Sequence, residues 1–227
     1  MSRKNHRSTR RLVALALFAA LAFVCTSLLH IKVAFLTFDA KDAVMAVAGM
    51  FFGPASAAIL SFLVPTLELI TLGGDTGLYG FIMNIASSAA FSITAAWIYK
   101  YRKTPGGALF ALFTAVVSMT AFMMAMNLLV TPHFMGVTLD AVIELIPTLL
   151  LPFNLTKALL NAALVLVLYK PIATALRRTR LVESATIGAP YSFNLRTLTM
   201  LLVGVVLLVI SILLFVFVLK GQFVLWE

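Results

Sequence analysis

Long apolar segments, separated by short polar or basic stretches, follow one another along the whole chain. A helix of about 20 apolar residues crosses a hydrocarbon core of about 30 Å, and six segments approach that length. These predicted helices cover about 12–29, 55–72, 78–99, 107–130, 150–169 and 198–219. A shorter apolar piece at 43–52 ends at the helix-breaking pair Gly53 and Pro54. The pattern predicts an all-α polytopic membrane protein: a bundle of six helices, counting the short one, and an additional C-terminal transmembrane helix.

The short helix at 43–52 poses a problem of length. At about 1.5 Å per residue, a helix of 10 to 13 residues cannot span about 30 Å. It must be tilted, extended by part of the preceding segment, or embedded only partway. That preceding segment, 30–42, mixes apolar and polar residues, and we expect a loop with extended character there.

Composition supports the membrane class. Hydrophobic residues make up 62% of the 227 residues and charged residues only 11%, with a mean hydropathy of +1.07. A soluble domain of this size needs more polar residues to cover its surface. The basic start and first apolar segment resemble a signal peptide, but that segment is long and lacks a small-residue cleavage site, so we expect a retained helix.

The net charge of +9 comes from basic clusters near the N-terminus, at 100–103 and at 170–196. Most acidic residues lie between these clusters, which is the positive-inside pattern of a plasma-membrane protein. It predicts a cytoplasmic N-terminus, outer loops at 30–42, 72–77 and 131–148, and an external C-terminus. The basic residues are explained by their placement at the cytoplasmic ends of membrane segments, so we expect no nucleic-acid partner.

The same pattern divides the chain into four parts. They are a basic cytoplasmic N-terminus (1–11), a six-helix membrane domain (12–175), a cytoplasmic connector (176–196) and the extra transmembrane helix (197–220).

Motifs of soluble enzymes are missing from the sequence. It contains no GxxxxGK[ST] phosphate-binding loop, no HExxH metal motif and no GxSxG nucleophile motif. A lone cysteine, Cys25, cannot form an internal disulfide. We therefore expect neither an enzyme nor a resident cofactor or metal.

Polar side chains inside the apolar helices are the best candidates for function. Asn154, Lys157 and Asn161 are spaced three and four residues apart, so they share one face of a helix. Lys157 either snorkels to the outer headgroups or contributes to a polar pocket, and Asn154 could simply satisfy free backbone groups of the first turn. Asn161 lies a full turn deeper and is interpreted as a helix-packing amide.

The outer halves of several helices supply a candidate pocket. Asn84, Asn127 and Asn154 lie at similar depth with Lys157, and their amides suit a neutral heterocycle with carbonyl and ring-nitrogen edges. Glu68 lies toward the outer end of its helix, where it either pairs with Lys157 or reaches the interface.

Two further features have competing interpretations. Phe35, Leu36 and Phe38 either roof such a pocket or anchor the loop at the membrane interface. Ala16 and Ala20 form a stripe of small residues that lets another helix approach closely, although alanine-rich apolar helices are common.

Several segments resemble one family. They are FLTFDAKD (35–42), FFGP (51–54), IMNIASS (82–88), MNLLVTPHFMG (126–136) and LPFNLTKALLNAALVLVLYKPI (151–172). The family is the riboflavin-specific substrate-binding component, or S component, of energy-coupling factor (ECF) vitamin transporters, and the resemblance covers about residues 10–178.

The resemblance implies a six-helix membrane fold that binds riboflavin near the outer face as a transported ligand. By position it implies substrate contacts from Asn84, Asn127, Asn154, Lys157, Leu36, Phe38 and Asp39. It also implies that the loop at 35–42 closes over the ligand. Ala16 and Ala20 would dock the ECF transmembrane coupling subunit, and two ABC-type ATPase subunits would supply the energy.

Two departures and three alternatives remain. The helix at 198–219 exceeds the family's six, and the stretch VPTLELITLGGDTG from Val64 to Gly77 matches the family less closely. The chain could be an S component for another vitamin, such as pantothenate or a folate-like heterocycle. It could instead be a stand-alone transporter with Glu68 as its proton-coupling residue, although no inverted repeat is evident. A structural membrane protein would leave the costly amides unexplained.

Overall fold

Helices make up most of the computed structural model, which describes residues 3–29, 31–73, 76–178, 195–217 and 223–224. The helices are α1 (Arg3–Leu28), α2 (Lys41–Phe52), α3 (Pro54–Thr71), α4 (Gly77–Tyr101), α5 (Pro105–Met135), α6 (Leu139–Leu145), α7 (Leu151–Arg178) and α8 (Leu195–Phe217). A π-helical turn, Ile146–Leu150, joins α6 to α7, and three short strands are β1 (Ile31–Val33), β2 (Leu36–Phe38) and β3 (Phe223–Val224).

Six helical spans of the described residues are long and apolar enough to cross a membrane. They are α1, α3, α4, α5, α6 together with α7, and α8. The predicted fold class is confirmed. Of the predicted connector 176–196, residues 179–194 lie outside the described residues.

The prediction of a loop at 131–148 is wrong, because this stretch is mostly helical; its placement on the outer side stays a prediction. α5 continues through Pro132 to Met135, and left-handed Gly136 (φ 65°) ends it. The Thr138 hydroxyl then caps α6 by accepting a hydrogen bond from Ala141 N at 3.4 Å. Pro147 lies in the π-helical turn, where the altered hydrogen-bond pattern lets the chain continue into α7.

The segment before α2 forms an antiparallel hairpin, which confirms its extended character. Ile31 pairs with Phe38, Lys32 with Thr37, and Val33 with Leu36. Ala34 occupies the left-handed region (φ 53°) in the tight turn between the strands. β3 pairs with the other edge of β1, so the strand order is β2-β1-β3.

The hairpin also explains why α2 can be short. The backbone N–H of Ala43, at the start of α2, donates to Oδ1 of Asn161, ten residues into α7, at 2.8 Å. At the far end of α2, the carbonyl of Phe52 accepts from Arg11 of α1 at 3.1 Å. The hairpin therefore reaches into the bundle, and α2 needs to cover only the remaining depth, about 18 Å by its length.

α2 lies at the centre of the bundle, and every residue from Lys41 to Phe51 is buried. Gly49 is where α2 meets α3 and α4. A Cβ atom at this position would lie 2.8 Å from the Cβ atoms of Ala57 and Ala96. This close approach requires glycine at position 49.

α8 packs along α7 on the outside of the bundle. A Cβ atom at Gly204 would lie 3.1 Å from Cβ of Leu166, which places the two backbones in close contact. Near its C-terminal end, the ring of Phe215 lies 5.2 Å from that of Phe38 in β2. Most large apolar side chains of α8 remain exposed, as expected for a lipid-facing helix.

Candidate functional site: a polar cavity at one end of the bundle

A cavity of about 570 Å³ lies between the hairpin and six helices. Each helix contributes the turns at one end of the bundle: the end of α1, the start of α2, the end of α3, the start of α4, the end of α5 and the start of α7. The basic residues Arg11, Lys100, Lys170 and Arg178 belong to the opposite ends of these helices. The cavity and the basic clusters therefore occupy opposite ends of the molecule.

The four polar residues predicted from the helices all line this cavity. Asn84 comes from α4, Asn127 from α5, and Asn154 and Lys157 from α7. Asn127, Asn154 and Lys157 are 0%, 2% and 5% exposed, respectively. The fold thus brings together side chains that are up to 73 positions apart in the sequence.

The side-chain amides of Asn84, Asn127 and Asn154 are each fixed by a hydrogen bond that the amide nitrogen donates. Nδ2 of Asn127 donates to the carbonyl of Met123 at 2.7 Å, and Nδ2 of Asn154 donates to the carbonyl of Leu150 at 2.8 Å. Nδ2 of Asn84 donates to Oε2 of Glu68, also at 2.7 Å. Amides held in this way present fixed polar groups to a ligand.

Four charged side chains form a buried network beside the amides. Oδ2 of Asp39 accepts from Nζ of Lys157 at 2.8 Å and from Nζ of Lys41 at 3.2 Å. Nζ of Lys41 also donates to Oε2 of Glu68 at 2.7 Å. Burial favours the neutral carboxyl of Asp39, but the Lys157 and Lys41 ammonium groups outweigh burial and lower its pKa to about 2. Asp39 is therefore ionised at neutral pH and holds both lysines.

The network decides between the interpretations of Lys157 and Glu68. Lys157 does not snorkel, because its ammonium group is buried against Asp39 and also donates to the carbonyl of Thr37 at 3.4 Å. Glu68 forms its ion pair with Lys41 and not with Lys157. Its side chain is buried, so it does not reach the membrane interface either.

Lys41 is the charged member of the network that sequence reasoning missed, and the aromatic lining residues Tyr79 and Phe134 were missed as well. The side chain of Lys41 is 1% exposed, yet it lines the cavity between two carboxylates. A signal was present: in DAKD three charged residues immediately precede an apolar helix, and a charge entering a membrane bundle needs a partner.

The hairpin contributes unevenly to the cavity. Phe35, Leu36 and Thr37 line it, and the ring of Phe35 lies 5.8 Å from that of Phe134. Phe38 instead packs in a separate apolar cluster, with its ring 6.0 Å from that of Phe153. The structure therefore brings Leu36 and Asp39 to the cavity and places Phe38 behind it.

Asn161 holds helices together, as its depth suggested. Besides accepting from Ala43, its amide donates to the carbonyls of Asp39 at 3.3 Å and Lys157 at 3.0 Å. This single side chain joins α7 to the junction between the hairpin and α2.

The two alanines proposed for docking lie on the outer face of α1. Ala16 and Ala20 are exposed, whereas Ala14, Ala19 and Ala22 are buried against the bundle.

A family model for the substrate-specific component of ECF transporters matches residues 10–173. The chain belongs to this family. It is also 25% identical over 183 residues to the riboflavin transporter RibU of Staphylococcus aureus (strain TCH60), an alignment that covers 77% of this chain and 96% of that protein. Both the family and this relative are transporters rather than enzymes.

The fold matches the solved structure of the S component of a bacterial ECF transporter with a TM-score of 0.64. The match has 24% sequence identity and covers 75% of this chain and 99% of that one. The protein is thus a multi-pass membrane protein with the S-component fold. α8 and β3 follow residue 173 and so lie beyond the family match.

Proposed function

We propose that this protein is a riboflavin-binding S component, which captures the vitamin at the outer face of the plasma membrane. The observation that carries the proposal is the cavity, in which Asn84, Asn127, Asn154 and Lys157 converge. Similarity to the riboflavin transporter of Staphylococcus aureus supports the choice of vitamin.

The chemistry of the cavity suits a flavin. A volume of about 570 Å³ lies within the range of roughly 300–1,000 Å³ that holds ligands of this size. The amides and Lys157 offer donors and acceptors to the carbonyl and nitrogen edges of an isoalloxazine ring. Phe35, Tyr79 and Phe134 line the same cavity and offer flat apolar surfaces for the ring faces.

The proposed orientation places the cavity outside. The basic ends of the helices then lie in the cytoplasm, as the positive-inside rule requires. The N-terminus is cytoplasmic, and the C-terminus follows one further crossing, α8, to the outside. Riboflavin enters from the outer end, and the hairpin that carries Leu36 and Asp39 covers it.

Delivery into the cell needs partners in this proposal. An ECF transmembrane coupling subunit docks on the outer face of α1 at Ala16 and Ala20, and two ABC-type ATPase subunits hydrolyse ATP. Riboflavin is cargo here, and no step requires a resident cofactor.

Vitamin competition tests the proposal. Purified protein saturated with radiolabelled riboflavin is challenged with excess unlabelled riboflavin, pantothenate or folate. We expect unlabelled riboflavin to displace the label and the other two vitamins to leave it bound. Displacement by pantothenate or folate at a lower concentration than riboflavin would assign the site to that vitamin instead.

A further inference from the structure

Asp42 is a buried acid that does not line the cavity. It lies in the first turn of α2 and is 0% exposed. The other two buried acids of the described residues, Asp39 and Glu68, both line the cavity and both form ion pairs. A charge inside a membrane bundle is costly unless a partner compensates it, so the contacts of Asp42 decide its charge state.

The side chain of Asp42 receives little compensation from its surroundings. Oδ1 accepts a hydrogen bond from the hydroxyl of Ser88 in α4 at 2.6 Å. Oδ2 is buried and has no hydrogen-bond partner. Within the described part of the chain, Lys32, Lys41 and Lys157 all lie beyond ion-pairing distance of Asp42. One neutral hydroxyl is therefore the only hydrogen-bond donor to this carboxyl group.

An ionised carboxylate would be unfavourable in these surroundings. Burial removes water from the charge, and a single neutral hydroxyl does not replace that water. The ammonium groups of Lys157 and Lys41 attract a negative charge at Asp42, but the carboxylate of Asp39 repels it. Both lysines are already engaged in ion pairs with Asp39 or Glu68. The positive end of the α2 dipole favours the charge, but this effect is small compared with burial.

A neutral carboxyl group fits the same contacts. Its carbonyl oxygen, Oδ1, accepts from Ser88, and Oδ2 carries the proton. The unpaired atom is then an uncharged hydroxyl, which costs much less to bury than a carboxylate oxygen. The two carboxylates that form ion pairs, Asp39 and Glu68, then match the two ammonium groups that hold them.

We propose that Asp42 is a proton-binding site whose carboxyl group stays protonated at neutral pH. The proton comes from solvent and forms the O–H bond at Oδ2 as the protein folds, so no other reactant is needed. The proton keeps the network in register, because a negative charge on Asp42 would compete with Asp39 for Lys157, which lines the cavity. The inference concerns α2 and holds whichever ligand the cavity binds.

Infrared spectroscopy tests the protonation state directly, because a protonated carboxyl absorbs above the amide I band and a carboxylate absorbs below it. Ligand-free, full-length protein is measured at neutral pH in a detergent without ester groups, as wild type, Asp42→Asn and Asp140→Asn. Asp140 is exposed in α6, so Asp140→Asn makes the same chemical change away from the network. Wild type and Asp140→Asn should show the carboxyl band, and Asp42→Asn should lose it.

Thermal unfolding in detergent supplies a second readout. Asparagine resembles a neutral carboxyl group in size and charge, so Asp42→Asn should keep the unfolding midpoint within a few degrees of wild type. Asp39→Asn removes a charge that holds two lysines and should lower the midpoint further.

Three results would overturn the proposal. The first is a wild-type spectrum without a carboxyl band at neutral pH, which is decisive whether or not Asp42→Asn folds. The second is a band that persists in folded Asp42→Asn, because the proton would then lie on another acid. The third is a larger loss of midpoint in Asp42→Asn than in Asp39→Asn.

Discussion

At the scale of single residues, the cavity wall depends on buried charges that hold one another. Asp39 receives Lys157 and Lys41, and Lys41 also reaches Glu68, so each charge depends on at least one partner in the network. Removal of one member of a buried pair leaves an uncompensated charge, which costs more than the pair contributes. Substitutions in this network should therefore reduce both the stability of the fold and the affinity for the ligand.

Loss of Asn154 or Lys157 should weaken riboflavin binding. We expect Asn154→Ala and Lys157→Ala each to make the free energy of riboflavin binding less favourable by at least about 1–3 kcal/mol. Each substitution removes a buried hydrogen-bonding group from the cavity. Isothermal titration of purified variants measures the effect. Lys103→Ala is the matched control for the lysine, since Lys103 is exposed at the opposite end of the bundle. Affinities equal to wild type in both cavity variants would remove these residues from the site.

Asn161 should matter for stability. Asn161→Ala leaves Ala43 N–H without its side-chain acceptor, and we expect the free energy of unfolding to fall by about 1–3 kcal/mol. Thr114→Ala serves as the control, because the Thr114 hydroxyl is exposed and bonds only to its own helix. Thermal unfolding in detergent compares the two. Equal midpoints would show that Asn161 does not hold α7 to α2.

Helical spacing was sufficient to place Asn154, Lys157 and Asn161 on one face, and topology was sufficient to place Asn84 and Asn127 at the same depth. The ion-pair partners could not be predicted in this way. Asp39 reaches Lys157, and Lys41 reaches Glu68, only because the hairpin enters the bundle, and no helical period describes that path.

At the scale of elements, the hairpin is held from three directions. α7 contacts it through Lys157 and Asn161, Phe153 packs against Phe38, and the C-terminal segment adds β3 to β1 and Phe215 to Phe38. The C-terminal segment thus gives the hairpin contacts that lie beyond the region matched by the family.

The aromatic contact of α8 should slow opening of the hairpin. We expect Phe215→Ala to reduce the free energy of local opening by about 0.5–1.5 kcal/mol, the usual value of an aromatic pair. Hydrogen exchange of the backbone amides in residues 31–38 should then be several-fold faster. Phe217→Ala is the control, because Phe217 is exposed at the end of the same helix. Equal exchange in the two variants would show that α8 does not restrain the hairpin.

The helix boundaries predicted from the sequence agree with the structure where the apolar segment contains no proline. They disagree where a proline interrupts the segment. Pro132 and Pro147 were interpreted as loop residues, but one lies in the last turn of α5 and the other in a π-helical turn. Proline is tolerated where the lost hydrogen bond is absorbed locally, and that depends on packing that the sequence does not display.

At the scale of the whole molecule, the cavity lies at one end and the basic residues at the other, while α1 presents a face free of the bundle. The exposed side chains on that face include Ala16 and Ala20. If the protein binds its ligand in the cavity and its partner on α1, a substitution at one place should abolish one of these interactions and leave the other intact.

Bulky residues on the outer face of α1 should separate binding from uptake. We expect Ala16→Trp with Ala20→Trp to abolish riboflavin uptake in cells that supply the coupling module, while the purified variant still binds riboflavin. Ala19→Trp is the contrasting variant, because Ala19 is buried and a large side chain there should disrupt the bundle. Uptake at the wild-type rate in the double variant would exclude this face as the docking surface.

The central claim is that the polar cavity binds riboflavin, and fluorescence titration of the purified full-length protein tests it most directly. Riboflavin fluorescence should be quenched in a saturable way as protein is added, because the ring becomes enclosed among Phe35, Tyr79 and Phe134. The quenching should end at one vitamin per chain and should weaken in Lys157→Ala. Fluorescence that remains unquenched at micromolar concentrations of folded protein would contradict the claim.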